Sequence, residues 1–380
     1  MRNNKAKFSS VPIPRFVAVR PEHTMETVKE SSPQFRELMD RIDGDPHPPE
    51  KPSQLWAACK EAMSTDDFPQ LLGNTAGKRV IQAFGNYVPK WPLIAGVDST
   101  NKLGVAIPRV FVGEAANLVL KPEGANIRRN FLVDNQYTIS TNTYASGLAF
   151  TREAMVNDDM GELMKSADRM GRAAARTVDV RLGAVIRANG TAYDGAAFFH
   201  ATNPTAQPHA NTVTTALSAD LVGANLLATA CRAIRKQKDI GNRSFMGKTP
   251  KVAFTSIDLY GTLMYLCQSA TVASPTVAAP THDEANPAFG YGLRPVEFEY
   301  LGDTTDWYVE TDPNEPDPAW VVSFLNGRAT PMVLQKKVLY GGDFDFSNPA
   351  CDIEYDVIYD FEVSMGDPRS AYGGIVSGGT

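Results

Sequence analysis

Three close carboxylate pairs, two histidines and one glycine-bounded basic turn are the residues whose type and spacing could do chemistry. Asp158–Asp159, Asp303/Asp306 and Asp343/Asp345 are the pairs near enough for general acid–base work. The first sits at a helix start and the others in turns, where carboxylates cap backbone amides or face water. His200 and His209 invite a metal or catalytic role, but no carboxylate or cysteine lies at ligand spacing from them, so they read as loop histidines. Gly73-Asn-Thr-Ala-Gly77-Lys78-Arg79 resembles a phosphate-binding loop. It has one residue too few between its glycines, Arg79 where a hydroxyl should meet Mg²⁺, and no strong strand before it, so it reads as a glycine-interrupted helix. Cys59, Cys231, Cys267 and Cys351 form no CxxC pair and read as free thiols of a reducing compartment. Nucleophile-elbow, zincin and dinucleotide fingerprints are missing too. No residue is therefore assigned a catalytic, cofactor-binding or metal-binding role, and no cofactor is expected.

The elements that would have to position such residues are more informative. At 380 residues the chain exceeds one compact domain, and 43% hydrophobic with 21% charged residues describes an ordinary folded protein. A net charge of −6 argues against nucleic-acid binding as the main business. No apolar run reaches ~18 residues and no apolar segment follows the first residues, so neither a membrane span nor a secretory signal is expected, and a cytosolic origin is. The longest pattern runs from Asn157 to Ala188. Leu163, Met164, Ala167, Met170, Val178 and Leu182 recur there at steps that place them on one helical stripe. About 32 residues at 1.5 Å each give a rod of about 48 Å. It needs a long apolar bed, and Asp352–Ser364 supplies one. Tyr355, Val357, Tyr359 and Phe361 alternate there with Glu354, Asp356, Asp360 and Glu362, which are expected on the wet face.

Elsewhere, residues 1–53 are rich in proline and charge and read as an extended arm with a short helix near 34–42. Helices are expected at 54–63 and 66–87. Strands are expected at 105–112, 117–120 and 136–141, as an excursion too slight to be stable alone. It carries Lys121 near its tip, then Arg128 and Arg129. Ser218 is expected to cap a helix to Lys238, and Ser256 another after the strand 251–255. A loop over 271–292 precedes strands at 296–300, 307–311, 320–325 and 332–340. The glycine-rich end reads as a loose tail.

Several stretches together resemble the Mu-like phage major head subunit family. They are Phe68–Thr75, Thr151-Arg-Glu-Ala-Met-Val-Asn-Asp-Asp-Met160, Gly171–Arg176, Asn189-Gly-Thr with Asp194-Gly-Ala-Ala-Phe-Phe199, and Asp360-Phe with Asp367-Pro-Arg369. The resemblance implies a major capsid protein of α+β class with the Hong Kong 97-like fold. Its expected parts are an N-terminal arm with short helices over 1–100, an extended β loop over 105–148, and a peripheral domain from 149–199 and 331–370 built on the long spine helix. An α/β axial domain would span 200–330 and a flexible tail 371–380. The helix stripe and its facing strand would form the assembly scaffold, and Lys121, Arg128 and Arg129 would be intersubunit contacts. No cross-linking is expected of Lys121, since no acceptor motif accompanies it. The implied partners are copies of the same chain in hexamers and pentamers, a scaffold or protease during assembly, portal and decoration proteins, and double-stranded DNA enclosed without sequence-specific binding, with no membrane. The place implied is the virion capsid, assembled in the bacterial host cytoplasm. Two rivals remain: an encapsulin-like nanocompartment shell, and a soluble cytosolic enzyme using His200, Asp158 and Asp159.

Overall fold

The computed structural model describes residues 67–113, 134–150, 160–201, 210–240, 244–274, 283–336 and 353–376, with scattered positions between 118 and 129. Contacts divide the chain at Leu71/Leu72, and the description below concerns the second unit, Leu72–Thr380, which helix α1 (Asp67–Asn86) enters from the first. The expected arm and the helix at 54–63 lie outside the described residues.

After α1 come β1 (Gly96–Thr100), β2 (Ile107–Val112), β3 (Asp134–Ile139), β4 (Asn142–Phe150) and the long helix α2 (Met160–Ala188). Then follow β5 (Thr212–Val213), α3 (Leu221–Lys236), β6 (Pro250–Thr255), α4 (Ile257–Gln268), β7 (Thr271–Ala273), β8 (Asp283–Ala285) and β9 (Arg294–Glu297). The chain closes with β10 (Trp307–Thr311), β11 (Trp320–Leu325), β12 (Met332–Lys336), β13 (Ile353–Met365) and β14 (Ala371–Gly374).

One sheet is organised on β13. Strands β11 and β12 pair with it antiparallel in succession, β4 pairs with it antiparallel from Ile353↔Phe150 to Phe361↔Asn142, and β1 adds to β11 in parallel. Alternation along β13 buries Val357, Tyr359, Phe361 and Val363. Val178, Leu182 and Ile186 of α2 share one core with Tyr359, Phe361 and Val363 and with Trp320, Val322 and Phe324. The helix approaches closely because Gly183 has no side chain: a Cβ there would stand 2.2 Å from the Tyr300 carbonyl oxygen. Asn189, with φ 41°, takes the left-handed conformation that ends the helix.

A buried carboxylate locks α2 to the segment between α1 and β1. Asp179 is fully buried and accepts from the backbone amides of Trp91 (2.8 Å) and Lys90 (3.2 Å) and from the Tyr87 hydroxyl (3.2 Å). Burial raises its pKa against the opposing pull of those donors.

The second sheet has the order β5-β14-β10-β6-β9. Helices α3 and α4 cover one of its faces, meeting Ala253, Trp307, Val309 and Tyr372, while Phe254 and Tyr308 on the other face join the core of α2 and β13. Inside β10, Glu310 is buried with neither carboxylate oxygen partnered among the described residues, and burial pushes its carboxyl well above the usual range. A raised folded-state value means stability is full at pH below the unfolded carboxyl value and is lost as pH rises toward the folded one. Glu310→Gln is therefore expected to stabilise the protein by at least about 1 kcal/mol more at pH 8 than at pH 4. Thermal unfolding across that range checks it, and an equal change at both ends would contradict the account.

Several expectations need correction. Glu362 does not face water: it is 4% exposed and accepts from Arg181 Nε (2.7 Å), Asn142 Nδ2 (2.6 Å) and the Tyr144 hydroxyl (3.0 Å). Burial pushes its carboxyl up, and those donors outweigh it and hold it below the ordinary value. Residues 371–374 are not loose. They form the buried β14 between β10 and β5, and the glycines are there because a Cβ at Gly374 would stand 2.0 Å from the Trp307 indole. Strand β11, expected with 200–330, belongs to the β13 sheet, and β1, expected within the arm region, is its edge. Asp220 rather than Ser218 caps α3, accepting from Val222 and Gly223 amides, and Ser256 precedes α4 without a capping bond. The loop at 271–292 contains the β7–β8 pair, and strand β9 stops at Glu297.

Candidate assembly surface

The residues that invited a chemical reading are spoken for structurally or lie outside the described set. Asp303 Oδ1 closes a turn by accepting from the Thr305 amide (2.7 Å) and hydroxyl (2.8 Å). Asp306 is buried and accepts from the Val376 amide (2.9 Å) and the Tyr308 hydroxyl (3.0 Å). The backbone amide of His200 donates to Asn211 Oδ1 at 2.8 Å. Asp158, Asp159, His209, Asp343, Asp345, Cys59 and Cys351 fall outside the description. Residues 73–79 are continuous helix within α1, and Arg79 reaches Asp168 of α2 at 3.8 Å across the surface. Burial raises the Cys231 and Cys267 thiols to about 12, which suits inert core residues. Among the described residues no group of three or more His, Cys, Asp or Glu could hold a metal ion.

What remains is surface, and one part of it is unusual. Among the described residues, strands β2 and β3 pair only with each other, from Ile107↔Ile139 to Val112↔Asp134. A two-stranded ribbon is marginal in water, so its root needs anchoring. Arg109 clamps Asp98 of β1 through two bonds of 2.7 Å and adds a third to the Ser99 carbonyl at 2.8 Å. The hydroxyls of Thr100 and Thr141 meet at 2.6 Å, Gly104 donates to the Thr141 carbonyl at 2.8 Å, and Ile139 is wholly buried. Beyond this root, five of the described apolar residues are bare. Val110 and Val112 are about three-fifths exposed, Ile127 is 77% exposed, and Leu118 and Leu120 are 102% and 91% exposed. Leu118 and Leu120, expected in a strand, are in none. Lys121 and Arg129 are exposed as well, and Arg128 lies outside the described residues. Grouped exposed apolar residues of this kind mark a surface that another molecule covers.

Of the stripe expected to build the scaffold, Ala167, Val178 and Leu182 are buried and Met170 is half-buried. Tyr359 and Phe361 of β13 share the core of Val178 and Leu182, and Val357 is buried, whereas Leu163, Met164 and Tyr355 have side chains outside the description.

Sequence reading missed a buried ionic joint where the chain crosses from β13 to β14. Asp367 is fully buried and receives Lys248 Nζ at 2.7 Å and Arg369 Nε at 2.8 Å. Lys248 also binds the Ser370 hydroxyl and the Asp317 carbonyl, and Arg369 reaches the Lys238 carbonyl. Burial works against the Asp367 carboxylate, and the two cations more than offset it, leaving a pKa of about 2. Beside it, Asn211 holds the Phe198 and Pro368 carbonyls at 2.9 Å each. Asn189 holds Phe199 by its amide and carbonyl, so that Phe198 and Phe199 stack toward Trp320 and Tyr308. The Asp367-Pro-Arg369 run drew notice only as a motif; its partner Lys248 is too distant in sequence to suggest the cluster.

Comparison with solved structures finds phage shells at low likeness. The bacteriophage JBD30 capsid is 11% identical with a TM-score of 0.41, covering 76% of this chain and 65% of that one. The bacteriophage PhiM1 mature capsid is 13% identical with a TM-score of 0.47, over 77% and 88%. The capsid of cyanophage P-SCSP1u is 14% identical with a TM-score of 0.47, over 76% and 89%. This chain thus spans just under two thirds of the JBD30 capsid chain. No curated protein sequence matches it. A family model described as phage capsid protein matches residues 136–373, well over half of the chain and including β4, α2, β13 and the ionic joint. The chain belongs to the phage capsid protein family.

Proposed function

We propose that this chain is the major head subunit of a tailed double-stranded DNA phage or prophage, of the Mu-like kind and with the Hong Kong 97-like fold. Copies self-assemble into hexamers and pentamers of an icosahedral shell. In this reading the ribbon β2–β3 is the extended loop, α2 is the spine helix of a peripheral domain, and the sheet carrying α3 and α4 is the axial domain. A scaffold or protease acts during assembly, portal and decoration proteins join the shell, and the host cytoplasm is where it forms. The single observation that carries the proposal, beside family membership, is the ribbon: it is firmly rooted by Arg109 and Thr100, yet it leaves Val110, Val112, Leu118, Leu120 and Ile127 bare. Such a ribbon gains its free energy only when a neighbour covers it, and weak contacts then add up over many copies. The net charge of −6 suits a wall that encloses DNA without gripping it.

Electron microscopy and gel filtration of the purified chain, alone and with its genomic neighbours, test the proposal. Closed shells are expected, and a stable small oligomer under every condition would overturn it. Shells that retain a protein cargo instead of DNA would favour a nanocompartment. Leu118→Asp combined with Leu120→Asp is expected to leave the unfolding temperature unchanged, because both side chains already face water, and to abolish shells. Normal shells from that variant would remove the ribbon from the assembly mechanism.

A further inference from the structure

Helix α2 buries its apolar side in the core, and the side it turns to solvent carries charge of one sign. Lys165, Arg169, Arg172 and Arg176 are all exposed. Steps of four, three and four residues keep them on one narrow stripe, about 16 Å long at 1.5 Å per residue. Among the described residues no ion pair involves Arg169, Arg172 or Arg176. The described carboxylates of the helix do not neutralise the row. Asp179 is buried and spent on the amides of Lys90 and Trp91. Asp168 meets Arg79 of α1 at 3.8 Å, which brings a further exposed cation to the flank of the row. Like charges three and four residues apart on a helix repel one another. In a chain of net charge −6, a helix face that served only solvent would mix the two signs.

The chemistry of the row selects its occupant. A partner protein needs apolar or aromatic anchors at the centre of its contact, and the row has no apolar member. A polyanion with regularly spaced charges needs none. The phosphates of one strand of a DNA duplex rise about 3.4 Å each, so about five of them run beside a row of this length. Three of the four cations are arginines, whose paired donors match phosphate oxygens.

We propose that the row Lys165–Arg169–Arg172–Arg176 holds the sugar-phosphate backbone of double-stranded DNA, so that the outward face of α2 is turned to the genome inside the shell. The inference rests on the shell reading and names the surface through which that shell meets its contents. A few phosphate contacts per copy read no base, so the hold is weak and independent of sequence. It is a local exception on an otherwise acidic chain.

The test is binding of a duplex of about 30 base pairs to the full chain as free subunits, in about 50 mM salt. Replacing Arg169, Arg172 and Arg176 together by Gln is expected to weaken binding at least tenfold. Replacing the same three by Lys is expected to keep it within about threefold, since the point charges remain. All three positions are exposed, so the unfolding temperature of both variants should match the parent. The logarithm of the affinity should fall with the logarithm of salt at a slope of about −3 in the parent and near zero in the Gln variant. Closed shells, with the row inside, are expected to bind added duplex at least tenfold more weakly than free subunits. Undiminished binding by the Gln variant, or an equal loss in the Lys variant, would overturn the proposal. Tighter binding of polyglutamate than of the duplex at the same salt would overturn it in favour of an acidic protein. Equal binding of duplex by closed shells would put the row on the outside and overturn it too. Each of these results leaves the shell reading intact wherever shells form. Failure of the unaltered chain to form any shell would overturn that reading and this inference together.

Discussion

Asp367→Ala is expected to cost about 3–5 kcal/mol of folding stability, because it leaves Lys248 and Arg369 buried without a counter-charge. The joint ties three separate stretches together: the loop at Lys248, the Asp317 carbonyl, and the crossing from β13 to β14. The loss should therefore appear as global destabilisation in urea, with little change in slope. Its pH dependence has a definite sign. The Asp367 carboxyl is held down at about 2, so its contribution is complete above the usual aspartate range and disappears as pH falls from about 4 through 2. Unaltered protein and variant should converge in stability in acid and diverge at neutrality. A constant gap between pH 2 and 7 would show that the loss is one of packing. Replacing all three charges by apolar residues of similar volume is expected to recover much of the loss, since the penalty lies in the unpaired cations more than in the missing attraction.

Val178→Asp is expected to be comparably severe, costing several kcal/mol and preventing shells. Val178 is 1% exposed, in the core shared by α2, β11 and β13, and no described donor is shown waiting there for a carboxylate. The internal control is two residues away: Val180 is 44% exposed on the same helix, and Val180→Asp should stay within about 0.5 kcal/mol of the parent. Chemical denaturation of both variants, with microscopy of any particles, separates them. Equal effects at the two positions would mean that the stripe does not face β13 as described.

The long helix and the long strand were legible because each keeps its period over enough residues to override local accidents. Val178, Leu182, Tyr359 and Phe361 could be named from spacing alone, and they share one core. The polar joints were not legible. Asp179 and Glu362 sit among positions that, by period alone, belong to water, and their partners lie 88 and 181 residues away at Trp91 and Arg181. Strand β4 escaped notice because Ala145, Ser146 and Gly147 are weak strand formers, and β13 imposes the extended conformation on them. The end at 371–374 looked loose for the same reason. Glycine reads as freedom in a sequence, whereas here it makes room for the Trp307 ring. The ribbon was legible as too slight to stand alone, but its root was not, since Arg109 and Asp98 belong to different sheets. Of the chemical candidates, residues 73–79 were legible as helix, and they are helix within α1.

The central claim is that the ribbon is completed by a neighbouring copy. Leu118, fully exposed in the single chain, offers a direct probe as Leu118→Cys. Maleimide labelling, followed by mass spectrometry of the peptide bearing position 118, should be rapid in free subunits and at least tenfold slower in assembled shells. Equal labelling in the two states would contradict the claim.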